Sequence, residues 1–146
     1  SRLGRVSGDP DAYREMAWHP EAVPVPGVLI VRLDAQLYYA NALTVRDQIM
    51  QYIADADEPV RAVVIDAVAQ DSLDITSSNM FKSLVGRLRD HGIELYFAAV
   101  HQPLIEFATE THLLELIGED HVFETIDAAV HDIEDRLAAG ETSTTP

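Results

Sequence analysis

The sequence contains no cysteine, and basic residues are scarce. Without cysteine the chain forms no disulfide, has no thiol nucleophile and builds no cysteine-based metal site, although this absence is neutral on cellular compartment. Ten Lys and Arg residues stand against 25 Asp and Glu residues, which gives a formal net charge of −15. This charge repels nucleic-acid phosphates and anionic membrane surfaces, so we expect no nucleic-acid partner.

Long apolar runs and glycine-rich motifs are also missing. No apolar stretch reaches the roughly 20 residues that a membrane-spanning helix requires, and we therefore expect a soluble fragment. The chain begins with Ser1 and has no leader sequence, which favours a piece of a longer protein. Its glycines form neither GxxxxGKS/T nor GxGxxG, and no Gly-x-Ser-x-Gly elbow is present. P-loop hydrolysis of nucleoside triphosphates and acyl transfer by such a serine are therefore excluded.

The six histidines are spaced unlike metal ligands. None lies three or four residues from another, which is the spacing that places two imidazoles on one helical face. We therefore predict no metal site, no cofactor and no catalytic residue, and we expect that the chain is not an enzyme.

Apolar runs and helical spacings alternate along the chain, which predicts an α/β fold. We expect a mixed sheet of about 4–6 strands with about 4–5 helices packed against it. Strands are predicted at residues 13–18, 28–33, 37–40, 63–66, 94–100 and 121–123. Asn41, Asp74 and Thr125 are predicted to cap helices, and Pro103 to open another. Residues 1–12 are predicted to be a linker or disordered arm, 13–138 the domain, and 139–146 a disordered tail.

Three carboxylates lie near the end of the strand at 63–66, namely Asp66, Asp71 and Asp74. One reading is a divalent-cation and phosphoryl-acceptor pocket, as in response-regulator receivers. Such a pocket needs a pair of acids after the first strand and a lysine after the last one. Here only Asp34 follows the strand at 28–33, and the single lysine, Lys82, lies within a predicted helix. The other readings are a recognition loop, or a set of helix caps and turn formers.

The stretch from position 63 to 100 combines an aliphatic strand ending at Asp66, a second acid at Asp74, hydroxyl residues beside it, and a helix ending near Gly92 before another strand. In these features it resembles the STAS domain, the fold of anti-sigma-factor antagonists and of the cytoplasmic C-terminal part of sulfate permease (SulP) type anion transporters. The earlier segment looks like the transporter branch, with the sequence VPGVLIVRLDAQLYYANA.

The sequence departs from the antagonist pattern at one place. The antagonists carry Asp-Ser-Ser-Gly, and a partner kinase phosphorylates the first serine. Matching Asp74 to that aspartate places Ile75 at the phosphorylated position and Thr76 at the second serine. Isoleucine has no hydroxyl group, so the phosphorylation switch cannot operate at its usual place.

The resemblance implies a regulatory, protein-interaction domain on the cytoplasmic face of the plasma (inner) membrane, as part of a multi-pass protein. Its implied partners are the transmembrane domain of the same transporter, a second copy in a homodimer and a cytosolic regulatory protein. We expect the interaction or regulatory loop to comprise Asp71, Asp74, Ile75, Thr76, Ser77 and Ser78.

The N-termini of the helices capped by Asn41 and Asp74 offer partial positive charge to an anion. Weak nucleotide or anion binding is therefore expected at most, in a pocket formed by Asn41, Asp66, Asp74 and Thr76, because the carboxylates oppose it. Two alternatives stay open: a freestanding anti-sigma factor antagonist regulated by phosphorylation, and a nucleotide-binding module.

Overall fold

Seven strands form one mixed sheet in the computed structural model, which describes residues 1–7 and 12–143, with side chains through residue 140. They are β1 (Arg2–Val6), β2 (Tyr13–Glu15), β3 (Ala22–Val23), β4 (Val28–Arg32), β5 (Ala62–Asp66), β6 (Glu94–Ala98) and β7 (Val122–Phe123). The strand order is β2-β1-β4-β5-β6-β7, and β3 pairs with β1. Strands β4 to β7 are parallel, whereas β1 runs antiparallel to each of its neighbours.

The parallel strands β4, β5 and β6 lie in register, so they end at the same edge of the sheet. Arg32 pairs with Asp66, and Asp66 pairs with Ala98. Every residue of β5 is buried, as expected for an aliphatic strand with helices on both faces. The loops that follow these three strands therefore meet at one place, which we name the carboxyl edge.

Five helices cover the sheet: α1 (Ala42–Asp55), α2 (Ile75–Asp90), α3 (Gln102–Glu110), α4 (Leu113–Ile117) and α5 (Ile126–Ser143). Side chains of a strand alternate between the faces of a sheet. One face buries Leu29, Val63 and Leu95 beneath α1, α2 and α4, and the other buries Val64 and Tyr96 beneath α5. These two hydrophobic clusters hold the carboxyl edge between two layers of helix.

Most of the predicted elements are confirmed. The strands expected at 28–33, 63–66, 94–100 and 121–123 correspond to β4, β5, β6 and β7, and the edge strand at 13–18 corresponds to β2. The strand predicted at 37–40 is wrong, because this segment is a loop. Its backbone donates hydrogen bonds to side chains, from Leu37 N–H to Gln70 and from Tyr38 N–H to Asn41.

The disordered arm predicted at residues 1–12 is wrong for β1, which pairs with three other strands. Leu3 is buried against the α5 side of the sheet. Gly4, whose presence favoured a linker, instead permits close approach, because a Cβ there would lie 2.9 Å from backbone atoms of Val23. Residues 8–11 of that arm lie outside the described residues.

The disordered tail predicted at 139–146 is wrong for its first part, because α5 continues to Ser143. Residues 144–146 of that tail lie outside the described part of the chain. The helix begins beside Thr125, whose Oγ1 accepts a hydrogen bond from Ala128 N–H at 3.0 Å, as its predicted cap requires.

Candidate functional site

Three loops meet at the carboxyl edge, at residues 33–41, 67–74 and 99–101. Backbone and side-chain hydrogen bonds join them. Leu33 N–H donates to Asp66 O at 3.2 Å, and Ala67 N–H donates to Ala98 O at 3.0 Å. His101 Nε2 lies 2.9 Å from Val68 O, within hydrogen-bonding distance. The loops therefore form one connected surface.

The strand-end carboxylate Asp66 is buried and already paired. Arg32 Nε donates to its Oδ2 at 2.9 Å, and Val68 N–H donates to its Oδ1 at 3.1 Å. A buried charge is tolerated when it is both paired and hydrogen-bonded. Asp66 thus holds the end of β5 to β4, and its oxygens are occupied by protein donors.

Two glutamines tie the loops at 33–41 and 67–74 to each other, and we name this pair the glutamine clasp. Gln70, which is 1% exposed, accepts from Leu37 N–H at 2.7 Å and donates to Ala35 O at 2.7 Å. Gln36 reaches the other way, donating to Ser72 O at 2.7 Å and accepting from Asp71 N–H at 3.0 Å. Sequence reasoning missed both residues, because no local spacing signals a glutamine that bonds a distant loop.

The predicted capping role of Asn41 is wrong. Helix α1 begins directly after Asn41, but that residue has helical backbone angles (φ −109°, ψ −3°) and its side chain caps no N–H of α1. Instead its Oδ1 accepts from Tyr38 N–H at 2.8 Å, and its Nδ2 donates to Gln36 O at 3.2 Å. Asn41 therefore closes the turn before the helix.

The predicted capping role of Asp74 is confirmed. Its Oδ1 accepts a hydrogen bond from Ser77 N–H at 2.7 Å at the start of α2. This backbone bond lowers the pKa of Asp74 below its usual value. The residues proposed to form an anion pocket are therefore largely engaged with the protein itself.

We expect Asp74→Ala to lower the free energy of unfolding at neutral pH by about 1 kcal/mol, because the first turn of α2 loses its cap. The pKa of Asp74 is lower in the folded protein than its unfolded value of about 4. The stabilisation is thus present above pH 4 and is lost as the pH falls through the folded-state pKa. Urea unfolding at pH 7 and pH 3 should show the difference from wild type shrinking at pH 3. An equal difference at both pH values contradicts this, and Asp71→Ala, which removes an exposed carboxylate, is the control.

The structure divides the predicted interaction loop into exposed and buried residues. Asp71, Ile75 and Thr76 are exposed and Asp74 is partly buried. Ser77 and Ser78 are buried, and Ser78 Oγ donates to Thr111 Oγ1 at 3.3 Å. The expectation that these two serines belong to an exposed contact surface is therefore wrong.

A sequence signal for this burial existed. The inward positions of α2 recur at helical spacing, and extending that pattern back from Phe81, Leu84 and Leu88 places Ser77 and Ser78 on the same face. The short side chains of Ser77 and Ser78 fit into the buried face of the first turn of α2.

Sequence reasoning also missed three exposed apolar side chains in the loop at 33–41 and at the start of α1. Tyr38 and Tyr39 lie in the loop at 33–41, with ring centroids 5.7 Å apart and ring planes at 88° to each other. Leu43 lies in the first turn of α1. We name Tyr38, Tyr39, Leu43 and Ile75 the exposed apolar patch. The adjacent tyrosines before a helix are visible in the sequence, but their exposure to solvent depends on how the loop folds.

Metal-binding clusters and membrane-spanning helices are both absent from the residues that the structure describes. In those residues, no group of three or more His, Asp or Glu side chains is arranged to hold a metal ion. Across residues 1–7 and 12–143, no helix has the length and apolar composition needed to cross a membrane.

The sequence is similar to a known domain family and to named transport proteins. The family model described as STAS domain matches residues 19–129. Sulfate transporter 1.3 of Arabidopsis thaliana is 29% identical over 144 residues, which cover 93% of this chain and 22% of the relative. A protein of Mycobacterium tuberculosis named probable sulfate transporter is 34% identical over 112 residues, covering 77% of this chain and 20% of that protein. The chain thus spans about a fifth of the length of these relatives.

Solved structures share the fold at low sequence identity. Murine Slc26a9, an anion transporter of the solute carrier 26 family, superposes with a TM-score of 0.84 at 20% identity, covering 92% of this chain and 22% of that one. The STAS domain of a SulP transporter from Vibrio cholerae gives 0.66 at 15% identity, covering 84% and 93%. A candidate anti-sigma factor antagonist of Thermotoga maritima gives 0.64 at 13% identity, covering 75% and 90%. At these identities the likeness concerns the fold alone.

Proposed function

The chain belongs to the STAS domain family, and from this we propose that it is the cytoplasmic regulatory domain of a SulP-type anion transporter. Two observations support the transporter branch. Its relatives in Arabidopsis thaliana and Mycobacterium tuberculosis are named as sulfate transporters, and the chain matches only about a fifth of their length. In this proposal the anion pathway belongs to the other four fifths of the protein.

The domain acts through protein contacts and performs no bond-making of its own. The observation that carries this proposal is the state of the polar groups at the carboxyl edge. Asp66, Gln70 and Asp74 are each hydrogen-bonded within the protein, while Ile75 and Thr76 project from the tip of α2 into solvent. The edge therefore offers a firmly held contact surface, with the carboxylates of Asp66 and Asp74 already hydrogen-bonded.

The partners that this surface serves are the transmembrane domain of the same protein, a second copy of the domain, or a cytosolic regulatory protein. Nucleotide binding is the weaker expectation. Asn41 closes its own turn and Asp74 is occupied as a cap, while the surrounding acids and the net charge of −15 repel phosphates.

The test is a pair of lysine substitutions in the full-length protein. Thr76→Lys places a charge on the exposed tip of α2, whereas Ser83→Lys places the same charge two turns further along the exposed side of that helix. We expect Thr76→Lys to lower sulfate uptake about fivefold or more, which corresponds to ~1 kcal/mol of lost contact energy. Ser83→Lys should retain uptake, and both proteins should reach the membrane in equal amounts. Equal uptake by the two variants counts against the proposal.

The rival function is a freestanding anti-sigma factor antagonist, and the Thermotoga maritima structure is the observation that keeps it open. Ile75 matches the position of the phosphorylated serine, and Ser77 and Ser78 are buried away from a kinase, so of the hydroxyl groups at 76–78 only that of Thr76 is exposed, at the position of the second serine. Incubation with an anti-sigma kinase should therefore leave the mass of the chain unchanged. A mass increase of one phosphate supports the rival, and heat released on titration with GTP or ATP supports the nucleotide-binding alternative.

A further inference from the structure

A pocket lies at the amino edge of the sheet, which is the edge where β4, β5 and β6 begin. Its volume of about 250 Å³ is slightly below the roughly 300–1,000 Å³ of pockets for drug-sized ligands. Ala62 at the start of β5 and Glu94 and Tyr96 of β6 form one wall, and Ile133 and Leu137 of α5 form the other. Ala62 pairs with Glu94 in register, and its small side chain leaves space beside β6. The pocket therefore suits a ligand smaller than a drug.

The hydroxyl group of Tyr96 lies in this pocket without a protein partner. Tyr96 is 3% exposed, and its ring stacks on that of His121, with centroids 4.2 Å apart and planes at 11°. Burial raises the pKa of Tyr96, and the charges of Arg136 and Glu94, which line the same pocket, also act on that pKa. Among the residues that the structure describes, none hydrogen-bonds the hydroxyl. Because a buried phenol normally has a hydrogen-bond partner, this group indicates one from outside the protein.

Glu94 supplies a second polar atom with an unmet requirement. Its Oε2 is buried and accepts no hydrogen bond from any described residue. Two basic side chains approach that oxygen, with Arg89 Nε at 3.5 Å and His121 Nδ1 at 3.8 Å. His121 Nδ1 lies closer to the carbonyl oxygen of Leu95, at 3.0 Å, so its hydrogen is directed there. A buried carboxylate oxygen without a donor favours a ligand that brings an N–H group.

Arg61 supplies an unpaired positive charge at the same pocket. Its carbonyl oxygen accepts from Glu94 N–H at 3.2 Å, so the two residues are backbone neighbours. Within the described part of the chain, however, the Arg61 guanidinium forms no ion pair. A Cβ on Gly27 would lie 3.5 Å from Arg61 Cγ and 3.6 Å from Leu137 Cδ1, which places the Arg61 stem beside α5. A free guanidinium binds a carboxylate through two parallel hydrogen bonds.

The charges around the pocket disfavour a simple anion. Arg136, the other arginine that lines the pocket, is held by Asp132 at 2.7 Å and by Asp120 at 3.2 Å. Together with Glu94, these acids outnumber the two arginines. A ligand with negative charge alone leaves Glu94 without a donor and meets this excess of carboxylates, whereas a zwitterion matches both signs.

We propose that the pocket at the amino edge binds a small α-amino acid, with its carboxylate on Arg61, its ammonium group on Glu94 and a hydrogen bond to the Tyr96 hydroxyl. The charges of Arg61 and Glu94 do not pair with each other, so each is available to one end of the zwitterion. The site lies at the edge opposite the interaction loop and does not depend on the proposed function.

NMR titration of the 146-residue chain tests this site with glycine, L-alanine and L-serine. Propionate and ethylamine are the matched analogues of L-alanine, because each keeps one of its two charged groups. We expect L-alanine to bind at least tenfold more tightly than either analogue, since each analogue leaves one charged side chain of the pocket without its counterpart. The amide signals of Ala62 and Glu94 should shift on binding. Sodium sulfate should bind no better than propionate.

Four variants assign the contacts. Arg61→Gln should weaken L-alanine binding at least tenfold, whereas Arg87→Gln, which changes an exposed arginine in the last turn of α2, should leave it unchanged. Glu94→Gln should weaken the binding of L-alanine but not that of propionate. Tyr96→Phe should weaken L-alanine binding about threefold or more at an unchanged thermal midpoint, because the hydroxyl has no partner in the described residues.

If none of the three amino acids produces a saturable shift, the pocket holds only water and the inference is overturned. Equal affinity for L-alanine and propionate, or tighter binding of sulfate, overturns the zwitterion as the ligand. Equal loss in Arg61→Gln and Arg87→Gln overturns the role of Arg61. These results leave the proposed regulatory function intact, and that function fails separately if the full-length protein has no membrane-spanning segments.

Discussion

Ser77→Lys is expected to lower the free energy of unfolding by about 3–5 kcal/mol, because it forces an unpaired ammonium group and extra volume into a packed interior. Ser77 is fully buried in the first turn of α2, on the same face as Phe81. Thr76→Lys, one residue earlier, should change stability by less than about 0.5 kcal/mol, because its side chain faces solvent. Two adjacent hydroxyl residues are thus predicted to differ by several kcal/mol on the same substitution.

Urea unfolding followed by circular dichroism measures this pair directly. Ser77→Ala serves as the control, since it removes the hydroxyl without adding charge or volume, and it should cost far less than Ser77→Lys. Similar midpoints for Ser77→Lys and Thr76→Lys would show that the tip of α2 is open at both positions, contrary to the structure. The result also decides which variants are usable in transport assays, because a loss of uptake in an unfolded domain says nothing about contacts.

The second large effect is expected at Gln70, where substitution by alanine should lower the free energy of unfolding by about 2–3 kcal/mol. The buried N–H of Leu37 loses its acceptor, and an unsatisfied buried polar group costs about 1–3 kcal/mol. Ala35 O loses its donor as well, and the removed side chain leaves a void, since Gln70 is almost completely buried. Gln36→Ala removes the other half of the glutamine clasp. Because its hydrogen bonds are exposed to water, we expect the free energy of unfolding to fall by about 1 kcal/mol or less.

Amide hydrogen exchange distinguishes this local cause from a general loss of stability. Under native conditions the Leu37 amide should lose protection in Gln70→Ala and keep it in Gln36→Ala, while amides of β5 change only in proportion to global stability. Retained protection at Leu37 in Gln70→Ala would mean that another acceptor replaces Gln70.

These effects explain why the carboxyl edge is suited to contact. Two of its buried polar side chains, Asp66 with Arg32 and Gln70 with the neighbouring loop, are hydrogen-bonded and fix the backbone. Its outer layer consists of apolar and acidic side chains with few internal partners. A rigid surface loses little conformational entropy on binding, so its exposed apolar area is available for affinity.

Much of this arrangement was predictable wherever the deciding interactions are local. The aliphatic residues of β5 are expected for a strand buried on both faces, and α2 follows from the spacing of Phe81, Leu84 and Leu88. Asp74 accepts from Ser77 N–H, three residues further along the chain, so its capping role also follows from sequence. The resemblance to the STAS domain is visible in this same stretch, and the family model matches residues 19–129.

Predictions were wrong where partners are distant along the chain. β1 has a glycine and two arginines in five residues, and it becomes a strand because β2, β3 and β4 supply its hydrogen bonds. The segment at 37–40 forms no strand, and Leu37 N–H donates instead to Gln70, 33 residues away. In both cases a tertiary contact prevails over a local propensity. Asn41 is a different case, because its side chain accepts from Tyr38 N–H, three residues before it, and caps no N–H of α1.

The sequence by itself determined the alternation of strands and helices, the capped start of α2 and the acidic character of the domain, because each depends on residues within a few positions or on composition. Only the tertiary structure decided that Gln70 bonds a loop 33 residues away, that residues 2–6 form a strand inside the sheet, and that Tyr38 and Tyr39 are exposed. The physical reason is that burial and hydrogen-bond partners depend on which segments the sheet brings together, and the in-register ends of β4 and β5 bring these loops to one edge.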